Sequence, residues 1–427
     1  MIWALLFGAL LLLVVVDVPI AVAIGAVSVL AIGITSGWES LPNVALVLFD
    51  GATKFPLIAI PLFILAGAIM NATGISRRLI ALASALFGFV RGGLSMVSIG
   101  ASLFFAEISG SAVADVAALG SILIPSMREK GYPNTFAAAV MSSSATLAVI
   151  IPPSIPMILY AVMANTSVVE LFVAGIVPGI LGGLGLMGVA YVTAVRYRFP
   201  VEEVFQLKRL WAALRNAAWA LLLPVIILGG IFTGWVTATE GAGLAVLAAV
   251  VIGGLVYREL DWRLLREATI QGGMQTAVVM LLVATSALLS DHLTEAQVPQ
   301  RVAQAIIDFT SNPWVVLGLL NVFFLVVGLF LHSAAAIILV VPIVMPLVQA
   351  VGIDPVHFGL VVTLNLGIGQ QTPPVASVLV TACSIARADI WEVTKANLGF
   401  VAILLAILIL VTYVPVVPMS LVYLFYR

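Results

Sequence analysis

The chain alternates long apolar stretches with short polar or Gly/Pro-rich connectors over almost its whole length. A helix needs about 20 apolar residues to cross a bilayer, and charged residues, Pro and Gly mark where each stretch ends. On this basis we predict crossings near residues 3–16, 19–35, 55–70, 135–164, 171–195, 217–234, 236–257, 272–290, 357–385 and 397–414.

Two further apolar regions, 94–127 and 314–350, do not fit single crossings. Each is interrupted near its middle, by AEISGSAVAD in the first region and by LHSAA in the second. Each region is long enough for two short helices but too short for two full spans. We therefore predict two re-entrant hairpins, which enter the membrane and return.

Two of the predicted crossings contain a double proline. Pro152 and Pro153 lie in IIPPSI, and Pro373 and Pro374 lie in QTPPVA. Proline lacks a backbone donor and interrupts a helix. We therefore predict that 135–164 and 357–385 are broken helices.

One constant offset brings the two halves of the chain into register. The offset that places Pro346 on Pro125 also places Gly352 on Gly131 and the second proline pair on the first. The step from the single proline to the pair is therefore the same in both halves. We interpret this agreement as an internal repeat.

The repeat extends backward to two amphipathic segments, 75–90 and 296–309. The second segment carries one apolar helical stripe formed by Val298, Val302, Ala305, Ile306 and Phe309. A helix of this kind can lie along the membrane surface. We predict a connecting arm helix in each half.

Composition assigns the chain to the integral membrane proteins of the all-α class. Of its 427 residues, 63% are hydrophobic and 9% are charged, against roughly 25% charged in soluble proteins. The formal net charge of −1 gives no basic footprint for nucleic acid. The single cysteine, Cys383, excludes an internal disulfide and is interpreted as a packing residue.

The first residues, MIWALLFGALLLLVVV, lack the basic region and the cleavage site of a signal peptide. We expect an uncleaved first helix. We also expect no soluble domain, because nearly every residue belongs to a spanning segment or a short connector.

Basic residues predict the orientation of the halves. They cluster in the connectors 196–215 and 258–266, which the positive-inside rule places in the cytoplasm. Counting outward, the first hairpin opens to the cytoplasm and the second to the outside, where 311–313 and 351–356 contain no Lys or Arg. The halves are therefore predicted to be inverted, with both termini outside.

Inverted repeats with broken helices are typical of secondary transporters, whose sites lie where the backbone leaves the helix. Carbonyls freed inside a bilayer are costly unless they bind something, and sodium is coordinated by oxygen. We predict that each hairpin tip meets the break of its own half and forms a sodium site. The predicted ligands are Ser109, Gly110, Ser111, Ser144, Thr146, Ser333, Asn365, Gly367, Gly369 and Thr372, with Ser142, Ser143, Thr363 and Gln370 nearby.

The alternative is that these hydroxyl groups only satisfy neighbouring backbone within helices. The intramembrane ionisable groups leave similar choices open. Asp115 is a helix cap or a distant contributor to the first cation site. Glu107 faces a water-filled cavity, pairs with a base or carries a proton. His332 donates to a substrate carboxylate, titrates, or bonds the hairpin backbone; Glu240 forms a capping box with Thr237.

Several motifs resemble the large membrane subunit of tripartite ATP-independent periplasmic (TRAP) transporters. They are ISGSAVADVAALGSILIPSMREKGYPNTFAAAV, IIPPSIPMILYA, LFVAGIVPGIL, GIFTGWVTATEGAG and GIDPVHFGLVVTLNLGIGQQTPPVA. The resemblance implies a bacterial inner-membrane permease of the ion transporter superfamily, with sodium coupling and an elevator mechanism. It also implies a small four-helix membrane partner, a periplasmic binding protein and a small organic anion of the carboxylate class as substrate.

The chain departs from the family pattern at positions that cluster around the predicted substrate. His332 stands where an aspartate is expected, and Ala148 and Ala376 replace glycines. Gln370 and Gln371 are more polar than the usual pair, and Glu107 is an unusual acid. The predicted substrate residues are Ser111, Pro153, His332, Asn365, Gln371 and Thr372.

The expected organisation is a mobile transport block within a scaffold. The block comprises 94–170 and 313–386, and the arms are 75–93 and 296–312. The scaffold comprises 1–74 and 171–295, followed by a C-terminal helix and tail at 387–427. Sodium would order the tips, and the block would then carry its cargo inward.

Two rival interpretations come from other classes. A stand-alone carrier of the same superfamily, coupled to sodium or protons, would work without a binding protein. An intramembrane enzyme would need a catalytic constellation, and the sequence offers neither an intramembrane Asp pair nor an HExxH motif. We therefore expect no enzyme activity.

Overall fold

The computed structural model describes residues 6–427 except 7, 11, 14, 15, 17, 36, 200 and 202–204, and it leaves out the side chains of 107–109. Half of the predicted crossing at 3–16 lies outside the described residues. Helices form all the longer elements of the described part. They are α1 Ile20–Thr35, α2 Leu41–Ala52, α3 Ala59–Ala72, α4 Ile75–Phe87, α5 Gly93–Ser109, α6 Ala112–Glu129, α7 Asn134–Ala145, α8 Leu147–Ile150, α9 Ile155–Ala164, α10 Val168–Arg196, α11 Leu207–Phe232, α12 Ala238–Val251, α13 Trp262–Glu295, α14 Val298–Phe309, α15 Pro313–Phe330, α16 Ser333–Ala350, α17 Pro355–Gly369, α18 Ser377–Ala386, α19 Ile390–Tyr413 and α20 Val416–Phe425.

Among the described residues, nine helices are long and apolar enough to cross a membrane. Several begin earlier than the apolar stretches predicted. Helix α11 begins at Leu207 and α13 at Trp262, well before the predicted crossings at 217 and 272. Their first turns mix Leu or Trp with basic residues and precede the apolar stretch. The Asp261 carboxylate caps α13 by accepting from the Leu264 N–H at 2.7 Å. Helices α2 and α20 were not predicted, because both are short.

The internal repeat is visible in the helix boundaries. The constant offset that relates the prolines also relates the start of α7 to that of α17, and the start of α6 to that of α16. The glycines that precede α7 and α17, Gly131 and Gly352, both have left-handed backbone angles, with φ of 84° and 74°. Beyond the proline pairs the offset grows by one position, since Ala376 is an extra residue before α18.

Two contacts show that the halves are inverted. At the middle of the bundle the Thr146 hydroxyl donates to the Gly367 carbonyl at 3.5 Å, and these residues are equivalent under the constant offset. Near one end the Tyr160 hydroxyl donates to the Pro355 carbonyl at 2.7 Å. The end of the first broken helix therefore lies beside the beginning of the second. Equivalent residues that touch each other mark a local two-fold axis.

Both basic connectors lie at one end of the bundle, as the charge pattern predicts. The Tyr257 hydroxyl donates to the Asn216 carbonyl at 3.0 Å, and this contact joins the connector before α13 to the start of α11. At the opposite end the Tyr426 hydroxyl donates to the Phe232 carbonyl at 2.8 Å. There Arg427 also bridges Glu170 and Asp354.

The first arm helix, α4, is held to the connector between α12 and α13 by one ion pair. Arg78 donates to both carboxylate oxygens of Glu259, at 2.7 and 3.1 Å, and its guanidinium lies 3.7 Å from the centre of the Tyr257 ring. The hydrogen bond from Arg78 lowers the pKa of the Glu259 carboxyl, against the opposing effect of burial. A paired, half-buried bidentate contact of this kind orients the arm.

We expect Glu259→Gln to lower the free energy of unfolding by about 1 kcal/mol at pH 7, because it removes a partly screened ion pair. Glu259 has a folded-state pKa below its usual 4.5. The stabilisation is therefore complete above that value and is lost as the pH falls through the lower folded-state pKa. Thermal unfolding in detergent between pH 7 and pH 3 measures both effects.

The matched control is Glu267→Gln, which breaks the exposed Arg263–Glu267 pair within α13. That pair is expected to contribute little. Equal losses in the two variants would contradict a special role for the Arg78–Glu259 contact.

Candidate functional site

The first hairpin tip meets the first helix break. Helix α5 ends at Ser109 and α6 begins at Ala112, with Gly110 between them at φ 58°. The Ile155 N–H donates to the Gly110 carbonyl at 3.4 Å. A Cβ at Gly110 would lie 2.9 Å from the Pro153 carbonyl oxygen, so the close approach favours glycine.

The second hairpin tip meets the second break in the same way. The Val375 N–H donates to the Leu329 carbonyl at 3.2 Å. Just before the tip, Gly328 packs directly against Gly369, the last residue of α17. A Cβ at Gly369 would lie 2.6 Å from the Gly328 backbone, so a side chain at Gly369 would force the two segments apart.

Both tips open onto one small cavity of about 60 Å³. Its lining joins the two halves and includes Gly110, Ser111, Ile155, His332, Ser333 and Gln370. No Lys, Arg, Asp or Glu is among the described residues that line it. The first residues of α6 and α16 border the cavity, so the N–H groups at two 18-residue helix starts are directed to it.

The carbonyls at the breaks are less bare than the sequence predicts. The Val149 carbonyl accepts from the Ser154 hydroxyl at 2.7 Å, and the Leu147 carbonyl accepts from the Ile151 N–H at 2.8 Å. In the second half the Gln370 carbonyl accepts from the Val378 N–H at 3.2 Å. Local turns thus satisfy several groups that the broken helix releases.

Thr146 and Gln371 belong to a buried network that crosses between the halves. The Gln371 amide donates to the Thr146 hydroxyl at 2.5 Å, and its carbonyl oxygen accepts from Ser143 at 2.8 Å and from Asn397 at 3.2 Å. The network directs Gln371 away from the cavity at the tips. Gln370, its neighbour, lines that cavity instead.

Asn365 lies in a second buried group of amides. Its amide nitrogen donates to the Asn321 side chain at 2.6 Å and to the Val361 carbonyl at 2.8 Å. Asn321 in turn donates to the Thr412 hydroxyl at 3.0 Å. The Asn365 side-chain oxygen is buried and has no hydrogen-bond partner among the described residues. Such an atom is the kind that a bound cation or water satisfies.

The remaining predicted residues have varied placements. Ser144 accepts from Ser102 at 3.0 Å, within the bundle. The Thr372 hydroxyl donates to the Ile368 carbonyl at 3.2 Å, and Asp115 is fully buried in the first turn of α6. Glu240 forms the predicted capping box with Thr237. The side chains of Glu107 and Ser109 lie outside the described part of the structure.

The sequence analysis missed Asn321 and Asn397. Asn321 is the only amide in the apolar helix α15, and Asn397 follows the polar first turns of α19. An amide side chain inside a membrane helix indicates a hydrogen-bond partner within the bundle. Their partners lie on other helices, so spacing alone could not identify them.

An all-helical membrane protein with two inverted hairpins and two broken helices belongs to the class of secondary transport proteins. The chain belongs to the family described as tripartite ATP-independent periplasmic transporter, DctM component, whose sequence model matches residues 7–417. The predicted resemblance is thereby confirmed. The protein is a multi-pass protein of the bacterial inner membrane, and members of this family are transporter components rather than enzymes.

Three relatives illustrate the likeness. The chain is 39% identical to the C4-dicarboxylate TRAP transporter large permease protein DctM of Pseudomonas aeruginosa, covering 90% of each chain. It is 36% identical to the 2,3-diketo-L-gulonate TRAP transporter large permease protein YiaN of Escherichia coli, covering 86% of this chain and 87% of that one. It is 41% identical to the isethionate TRAP transporter permease protein DctMQ of Oleidesulfovibrio alaskensis over 97% of this chain, but spans only 65% of that relative.

A solved structure supports the fold. The YdaH transporter of Alcanivorax borkumensis superposes with a TM-score of 0.65 at 16% identity, covering 88% of both chains. At that identity the likeness concerns the fold alone. It agrees with the predicted all-α polytopic architecture.

We expect Gly369→Ala to destabilise the second break strongly, because the added Cβ would lie 2.6 Å from the Gly328 backbone. Overpacking against a rigid neighbour costs typically about 1–3 kcal/mol. Gly273→Ala is the control, since a Cβ there meets nothing within 4 Å and alanine favours a helix. Thermal unfolding in detergent compares the variants, and equal midpoints would contradict the close packing.

Proposed function

We propose that the protein mediates sodium-coupled uptake of a small organic anion, received from a periplasmic binding protein. The observation that carries this proposal is the cavity shared by the two hairpin tips, where two helix N-termini and His332 converge. The family implies that the large permease works with a small membrane subunit and a binding protein.

The cavity is lined by uncharged groups that can bind an anion. Helix N-termini and neutral donors would meet the negative charge of the substrate. Helix N-termini bind carboxylates through free N–H groups and the helix dipole. The hydroxyl groups of Ser111 and Ser333 and the imidazole of His332 add neutral donors. Relatives are named for C4-dicarboxylate, isethionate and 2,3-diketo-L-gulonate, all of which are organic anions.

The buried oxygens near the breaks suit sodium as the coupling ion. Besides the Asn365 oxygen, the hydroxyl oxygens of Ser142 and Ser377 are buried without a hydrogen-bond partner among the described residues. A hard cation is bound by neutral and charged oxygens of this kind. Ser377 follows the second break directly, and Asn365 lies one turn before Gly369. In the proposal Asn365 contributes to a sodium site in the second half, and the backbone at Gly110 and Ser111 contributes to one in the first.

The architecture is compatible with an elevator movement. The hairpins and broken helices form a block joined by the tip contacts and by the Thr146–Gln371 network. The arm α4 is instead tied to the connector before α13 through Glu259. In the proposal the tips close over sodium and substrate, and the block then slides relative to the arms and long scaffold helices.

We expect sodium, but not potassium at equal ionic strength, to raise the unfolding midpoint of the purified protein. A ligand that binds only the folded state stabilises it, by about 2.7 kcal/mol at 100-fold its Kd. Asn365→Ala removes the unpartnered oxygen and is expected to abolish most of the sodium-specific shift. Thermal unfolding across a sodium titration measures it.

Thr412→Val is the matched control. It perturbs the same amide group through Asn321 but leaves the Asn365 oxygen in place, so its sodium response should resemble that of the natural chain. A sodium response equal to the potassium response in the natural chain would exclude sodium binding by the isolated permease. If both variants lost the sodium-specific shift, the shift would depend on the stability of the amide group and not on the Asn365 oxygen as a ligand.

Small anions are expected to add a further midpoint shift in the presence of sodium. Succinate, isethionate and N-acetylneuraminate serve as probes of three anion classes, with succinamide as a neutral control. His332→Ala should weaken the response to the anion that binds, while His357→Gln, whose imidazole contacts the Val411 carbonyl, should not. Uptake into proteoliposomes without a binding protein would instead favour a stand-alone carrier.

A further inference from the structure

A second cavity lies far from the hairpin tips, at the basic end of the bundle. Its volume is about 670 Å³, it opens to the surface, and it is lined by the arm α4, the first half of α11 and the connector between α12 and α13. The side chains that define its chemistry are Arg77, Arg78, Arg215, Trp219, Tyr257 and Glu259. Nothing in the proposed transport cycle uses this cavity.

The cavity carries excess positive charge. Among the described residues that line it, Glu259 supplies the single carboxylate, which accepts from both terminal nitrogens of the Arg78 guanidinium. Arg77 lies near Glu259 and contributes to the lowered pKa of that carboxyl. Both Arg77 and Arg215 are nevertheless exposed, and neither forms an ion pair with the described residues. Two arginines are thus available to an anion on opposite walls, one on the arm and one on α11.

The cavity wall on α11 continues past Arg215 into an exposed aromatic and apolar surface. Arg215 is followed one turn later by Trp219, which lines the cavity and is 49% exposed. Beyond it Leu222 and Val225 are exposed at 38% and 64%, on the surface that continues into the membrane. An indole at this level is typical of the boundary between headgroups and acyl chains. The basic side chain at one end and the apolar surface at the other complement an amphiphile, which joins a charged headgroup to an apolar tail.

We propose that this cavity binds the phosphate of an anionic phospholipid in the membrane leaflet at the basic end. Arg77 and Arg215 hold the phosphate, Trp219 lies at the level of the glycerol, and the acyl chains follow the exposed face of α11. Basic pockets between membrane helices bind anionic headgroups in this way. The lipid bridges the arm to α11 beside the Arg78–Glu259 pair, so it stabilises the attachment of the arm to the scaffold.

The test is thermal unfolding of the delipidated protein in a neutral detergent, titrated with dioleoyl phosphatidylglycerol. Dioleoyl phosphatidylcholine tests the need for net negative charge, and glycerol 3-phosphate tests whether a soluble phosphate ester suffices. The variants are Arg77→Gln and Arg215→Gln. The control is Arg266→Gln, which removes the same charge from an exposed position at the same end, outside the cavity.

We expect phosphatidylglycerol to raise the midpoint of the natural chain and of Arg266→Gln at the same lipid concentration. Each cavity variant should need roughly fivefold more lipid, from about 1 kcal/mol per basic side chain at an anionic surface. Native mass spectrometry should show one retained phosphatidylglycerol that the cavity variants lose.

Three outcomes would overturn the proposal. Phosphatidylcholine could raise the midpoint to the same extent as phosphatidylglycerol, which would show that the acyl chains alone account for the binding. Glycerol 3-phosphate could produce the full shift, which would make the cavity a soluble-anion site. The cavity variants could respond as Arg266→Gln does, which would place the lipid elsewhere on the basic end.

Discussion

A backbone that leaves the helix inside a bilayer must find partners within the protein, because lipid supplies no donors or acceptors. Both proline pairs create this demand in the middle of a crossing. Local turns meet part of this demand, and each hairpin tip adds one bond, from the Ile155 N–H to the Gly110 carbonyl in one half and from the Val375 N–H to the Leu329 carbonyl in the other. The hairpins cannot be shortened or turned without exposing the breaks. The position of both tips, and hence of the cavity between them, follows from this requirement.

The same requirement explains where polar side chains occur in so apolar a chain. Ser143, Thr146, Gln371 and Asn397 are all buried and bond to one another between different helices. Asn321, Asn365 and Thr412 form a second such group. Each group holds helices that apolar packing alone would leave free to slide, since lipid competes with apolar contacts. The bundle therefore combines smooth apolar surfaces with a few fixed polar contacts.

Much of the fold could be predicted because its determinants are local. Proline pairs, interrupted apolar regions and basic connectors are read directly along the chain, and the constant offset between the halves relates them. The extra starting turns of α11 and α13 were missed because basic residues interrupt the apolar pattern there and resemble a connector. The site was harder: Gln370 and Gln371 are adjacent, yet only the packing of α17 against α8 and α19 decides which of them faces the cavity. The Asn397 partner is 26 residues from Gln371, beyond any helical spacing.

The contact of Thr146 with Gly367 has a consequence for how the two halves could diverge. In a dimer of identical half-length chains, a residue on the two-fold axis would meet its own copy, and a hydroxyl would face a hydroxyl. One continuous chain removes that restriction, so a donor on one side of the axis faces a bare backbone carbonyl on the other. Gln371 is a second asymmetric position, because the equivalent residue in the first half is the apolar Ile150. Fusion of the halves thus allows a polar seam along the axis that a symmetric pair of separate chains could not form.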